Sequence, residues 1–204
     1  MARLNRDPIT VVKGDDVLKY LLLSNGHDGL VSVKVGFTPQ RVVCMNTLRA
    51  AHQHSASRLL RVKHTQRVNE TLLEVRDVIN VVDREFEATA EQYRLLSKHQ
   101  VNAKDLDRYV RVVFGLPEKA EGSEEKQKGD RVVSKIIPLF EKGRGNDMPG
   151  VRGTLWAAYN SVTEFLTHGR GRSEETRIDS LWFGQGALIN QRALETAVEL
   201  AKAA

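Results

Sequence analysis

The stretch "YLLLSNGHDGLVSVKVGF", Tyr20 to Phe37, constrains the fold more than any other. An apolar run meets a Ser-Asn-Gly-His-Asp-Gly turn, and then Val31, Val33 and Val35 alternate with Ser32 and Lys34. Alternation with a period of two after a glycine-bearing turn predicts a β-hairpin with one wet face. Asn25-Gly26 and Asp28-Gly29 supply residues that tolerate positive φ, as such a turn requires. These glycines turn a chain. No GxxxxGK[ST] or GxGxxG pattern occurs that would make them a phosphate cradle.

Around the hairpin, "ITVVKG" (Ile9–Gly14) and "RLLRVKHT" (Arg58–Thr65) read as further strands. Between them, "TPQRVVCMNTLRAAHQH" reads as a helix starting near Thr38, with Pro39 at its first position. The pattern then becomes helical. Val68, Val75 and Val82 recur every seven residues, as do Leu72, Ile79, Phe86 and Tyr93, which predicts one long helix over Val68–Leu96. It can lie across the sheet or form a seam for self-association, and Thr89, which breaks the apolar series, favours the sheet. Asn102 is the expected cap of a second helix carrying Leu106, Tyr109, Val110, Val113 and Phe114.

"GLPEKAEGSEEKQKGD" (Gly115–Asp130) is polar and charge-rich, and reads as a mobile loop and the best boundary within a single domain spanning 1–204. A helix through Val132, Val133, Ile136, Ile137 and Phe140 is expected next, then a glycine-rich linker, "EKGRGNDMPGVRG". "TLWAAYNSVTEFLTHGRGR" (Thr154–Arg172) predicts an amphipathic helix with Leu155, Ala158, Tyr159, Val162 and Leu166 on its core face and Trp156 and Asn160 on the flank. A last helix should run from Gly186 to Ala204. The fold class expected is therefore α+β: a small, mainly antiparallel sheet, one long packed helix and a helical C-terminal half.

The chemistry is harder to place. His52 and His54 are the only close pair among the six histidines, and two residues apart on a helix they face different ways. With one cysteine, Cys44, and no HExxH or CxxC, no metal site and no cofactor is expected. No GxSxG elbow is present, and Asp15-Asp16 and Glu124-Glu125 read as loop carboxylates. A non-enzymatic protein is the expectation. The single cysteine points to a reducing cytoplasm, and no apolar run approaches the roughly 18 residues that span a bilayer.

Charge is patterned. Net positive blocks at 1–64 and 126–172 alternate with net negative blocks at 65–125 and 173–204, within a formal net charge of +5. Such polarity suits a polyanion held through phosphate contacts. Arg144, Arg152, Arg170 and Arg172, in or beside glycine-rich segments, are the expected phosphate contacts. Trp182, before Gly184 and Gly186, is either a stacking platform for bases or a core plug, and the plug is favoured.

The blocks "YLLLSNGHDG…VGFTPQRVVCMNTL", "RVKHT", "GNDMPGVRGTLWAAYNSVTEFLTHGRG" and "SLWFGQGALINQRALETAVELA" are collinear with one domain. They resemble the phage/plasmid-like family of domain of unknown function 932. The resemblance implies a mobile-element protein of a bacterial cytoplasm and brings no catalytic residue or cofactor. It also implies either a shortened member or strands supplied by another polypeptide, since the first block begins about twenty residues from Met1, and missing strands would expose a sheet edge. The functional expectation is a nucleic-acid-associated accessory protein, with single-stranded DNA binding or annealing as its concrete form. The alternative is a protein-binding antagonist of a host defence system, of the anti-restriction or anti-CRISPR type. Expected partners are accordingly nucleic acid or a host protein, with self-association through the long helix as the alternative to its packing on the sheet.

Overall fold

The computed structural model describes residues 2–3, 7–24, 33–44, 46, 60–62, 86–117, 124–171 and 173–204. Its fold is α+β. The sheet is antiparallel, with β1 (Ala2–Arg3), β2 (Ile9–Val12), β3 (Asp15–Ser24), β4 (Val33–Arg41) and β5 (Leu60–Val62). The hairpin forms as the alternation predicts: β3 pairs with β4 from Val17↔Arg41 to Ser24↔Lys34. With one edge of β3 taken by β4, β1 and β2 lie end to end along the other, at Leu21–Tyr20 and Val17–Asp15. β5 pairs with Val33–Val35 of β4.

The helix expected near Thr38 does not start there, and all but Asn46 of its expected course beyond Cys44 lies outside the described residues. Thr38 and Pro39 continue β4, opposite Tyr20 and Lys19. A residue before proline is pushed toward extended backbone, and the ladder to β3 rewards that conformation. The described ladder to β5 reaches only Val35, so Pro39 lacks its N–H where β4 has no second partner among the described residues.

Six helices follow. The first, α1, is described over 86–98, and Phe86, Ala90, Tyr93 and Leu96 are buried, as is Thr89. Val68, Leu72, Val75, Ile79 and Val82 of the seven-residue series lie outside the described residues. α2 (Ala103–Phe114) starts at the expected cap: Asn102 Oδ1 accepts from the Asp105 N–H at 2.9 Å, and Gly115 closes the helix at φ 65°. α3 (Glu124–Lys142) begins inside the stretch read as a loop. Arg111 of α2 explains part of that order, because it donates to Asp107 on its own helix and to Asp130 of α3 at 2.6 Å. Both bonds hold its guanidinium in the charged form.

α4 (Leu155–Glu164) carries on as a π-helical turn, Phe165–Gly169. Every residue from Leu155 to Glu164 is buried, so the expected amphipathic character is absent and Trp156 and Asn160 on the flank are as buried as the core face. A helix buried on all faces lies at the centre of a core. Tyr93 of α1 stacks at 4.8 Å from Trp156 and 6.1 Å from Tyr159. On another side Tyr159 Oη donates to Asn190 Oδ1 at 2.9 Å in α6 (Gln185–Ala203), which α5 (Glu174–Phe183) precedes. Among the described residues no helix is long and apolar enough to cross a membrane.

Candidate functional site

Where sheet meets helices, a charged pair is buried. Asp15 opens β3 and Arg41 ends β4, and both side chains are fully buried. Arg41 Nε and Nη2 grip the two carboxylate oxygens at 2.8 and 2.7 Å, the bidentate geometry that suits guanidinium and carboxylate. The other donors point at the glycine-rich stretch after α3. Nη2 also donates to Gly145 O at 2.8 Å, and Nη1 donates to Asn146 Oδ1 at 2.9 Å and Arg144 O at 3.3 Å. All five guanidinium N–H groups are thereby used. Trp156 Nε1 donates to Asp15 Oδ2 at 2.8 Å, and its ring lies 5.5 Å from the Arg41 guanidinium carbon.

Asn146 completes the junction. Its Nδ2 donates to Leu139 O at 2.9 Å and to Ala157 O at 3.2 Å, which joins the end of α3 to α4. With its hydrogen-bonding capacity spent internally, this junction has nothing left to offer a substrate. Its effect is positional. It fixes residues 144–146 of the stretch expected as a linker, and backbone bonds such as Asn146 N–H to Gly143 O and Arg152 N–H to Met148 O close 143–153 into turns. At Gly145, φ is +77° and an added Cβ would lie 2.5 Å from Val43 Cγ2, so only glycine fits.

That turn carries two of the expected phosphate contacts: Arg144 and Arg152 are both exposed. Arg170 is placed differently. It follows the π-helical turn, so α4 separates it from Arg152; it is half-buried, and its Nη1 is buried with no partner among the described residues. Arg172 lies outside the described residues. Trp182 is half-buried and packs against the core, the plug arrangement.

Further along α4 is a second polar set. Asn46, Asn160 and Glu164 are buried, and Asn46 Oδ1, Asn160 Oδ1 and Glu164 Oε2 have no hydrogen-bond partner among the described residues. Beside them, His168 Nε2 lies 3.1 Å from Cys44 O and must donate there, since a carbonyl only accepts. Burial pushes the Cys44 thiol up to about 11 against the opposing pull of Arg41, so it is not a thiolate nucleophile near neutral pH. Among the described residues no group of three His, Cys, Asp or Glu side chains is placed to hold a metal ion.

Neither polar set was visible in the sequence. Arg41 looks like any basic residue, Asp15 reads as a loop carboxylate, and their partners are up to 141 residues away. The one usable signal was Trp156 beside Asn160 on a short run too apolar for a surface helix. No curated protein and no solved structure matches the chain. The family described as Domain of unknown function (DUF932) matches residues 1–182, and the chain belongs to that family.

Proposed function

We propose that the protein is a non-enzymatic phage or plasmid accessory protein that binds nucleic acid, single-stranded DNA in the concrete form, through the turn 143–153. The observation that carries this reading is the placing of two exposed arginines on one hydrogen-bonded turn, Arg144 on backbone that Arg41 clamps and Arg152 on backbone whose N–H donates to Met148 O at 3.1 Å. Side chains on a fixed turn lose less freedom on binding than side chains on a mobile loop, so phosphate contacts from it are favoured. Trp182, packed on the core, contributes no stacking platform in this reading; phosphate contacts dominate and sequence preference is weak.

Binding is measured by fluorescence anisotropy with a labelled single strand across a salt series. Each phosphate contact adds about 0.7 to the slope of log affinity against log salt. Arg144→Glu with Arg152→Glu should therefore flatten the slope by about 1.4 and leave the melting temperature nearly unchanged, because both side chains are exposed. No binding of the unmodified chain to single- or double-stranded DNA or RNA at about 50 mM salt would sink the reading, since phosphate contacts are strong there. The defence-antagonist reading would then take its place, with Val42 and Val43, 42% and 37% exposed beside the same turn, as its first surface to test.

A further inference from the structure

Three buried oxygens on or against α4 have no hydrogen-bond partner among the described residues: Asn46 Oδ1, Asn160 Oδ1 and Glu164 Oε2. Asn46 and Asn160 are fully buried and Glu164 is 9% exposed. Asn160 and Glu164 are four residues apart and so share a helix face. Asn46 docks on the same turn, its Nδ2 donating to Asn160 O at 3.3 Å and Thr163 Oγ1 at 3.2 Å.

The pinned atoms identify the free ones. A backbone carbonyl only accepts, so the amide nitrogen of Asn46 must face Asn160 O, and that of Asn160 must face Trp156 O, 2.8 Å away. What remains on each amide is oxygen. Chain closes in from the α3 side at Gly143, where a Cβ would fall 2.6 Å from Glu164 Oε2.

All three free atoms are acceptors, and one belongs to a carboxylate. A water molecule donates two hydrogen bonds, too few for three acceptors, and it brings no countercharge. A buried unpaired carboxylate is costly, and a cation answers both needs. Carboxylate and amide oxygens suit magnesium, manganese or calcium, not the softer metals. One carboxylate, with water filling the other positions, is a usual way to hold magnesium.

We propose that Asn46, Asn160 and Glu164 form a binding site for one hard divalent cation of the magnesium type. The cation would tie the chain leaving β4 to the central helix. The set holds a single acid, so the expected dissociation constant is on the order of 1 mM. The site shares no side chain with the proposed phosphate contacts Arg144 and Arg152, and it can fail or hold whatever nucleic acid does.

The full-length chain, freed of metal by chelator, is titrated with Mn²⁺ and the free-ion signal followed by electron paramagnetic resonance. One Mn²⁺ should bind per chain and Mg²⁺ should displace it. Mg²⁺ should also raise the melting temperature, and K⁺ at matched ionic strength should not. Glu164→Gln should weaken Mn²⁺ binding at least tenfold. Should that variant fail to fold, Asn160→Ser serves in its place, with a smaller loss expected. No Mn²⁺ bound by the unmodified chain at about 10 mM, well above that dissociation constant, overturns the proposal. So does binding that survives both substitutions unchanged, or an equal response to K⁺.

Discussion

Two buried polar sets lie side by side along α4, and they are built on opposite terms. Around Arg41 donors and acceptors balance: five N–H groups meet Asp15, Asn146, Arg144 O and Gly145 O, and Trp156 adds one more donor to the carboxylate. Around Glu164 acceptors outnumber donors, and three oxygens are left over. A low-dielectric interior strengthens satisfied polar groups and penalises unsatisfied ones. The first set is therefore architecture, closed to ligands. The second is open, and its imbalance has a definite sign that only a donor or a cation can correct.

The largest effect should come from unbalancing the balanced set. Arg41→Met leaves the Asp15 carboxylate buried without its partner and should cost about 3–5 kcal/mol in urea denaturation. Adding Asp15→Leu removes the stranded charge and should recover much of that loss, because apolar replacements of buried pairs are often tolerated. A single substitution costing under about 1 kcal/mol would mean that the pair does not organise this junction.

The unbalanced set should respond in the opposite direction. In chelator, Glu164→Gln removes a charge with no partner among the described residues, so stability should stay level or rise by roughly 1 kcal/mol. A loss as large as that of Arg41→Met would show that Glu164 is satisfied after all, and the contrast between the two sets would collapse.

Cys44 lies between the sets and feels both: burial raises its pKa, Arg41 lowers it, and Glu164 and Asp15 raise it. The folded value of about 11 exceeds the ordinary 9.0, so the unfolded chain loses this proton first. The thiol's contribution is thus fully present below about pH 9 and is lost as pH rises from there toward 11. At pH 9 the loss is small, well under about 1 kcal/mol. Comparing denaturation at pH 7.5 and 9.5 with Cys44→Ala checks it: the slope that belongs to the thiol should vanish in the variant. An unchanged slope would put the pH dependence elsewhere.

Local pattern determined much of this molecule. Period-two alternation specified the β3–β4 pairing, while the turn residues Asn25 to Gly29 lie outside the described residues. Asn102 and Gly115 specified both ends of α2, and apolar spacing specified the helices through Ile136 and from Gly186. Such signals are legible because backbone hydrogen bonds and side-chain periodicity act within a few residues. Tertiary structure decided the rest. Pairing with β3 turned Thr38–Arg41 into strand, a guanidinium from that strand turned a glycine-rich linker into a fixed turn, and packing on every side buried all of α4. Arg41 reaches Asp15 across 26 residues and Asn146 across 105. Whether a charged side chain is paired in the core or solvated at the surface depends on what the chain brings to it from such distances. Burial and partnership belong to the folded neighbourhood, and residue type and spacing do not encode them.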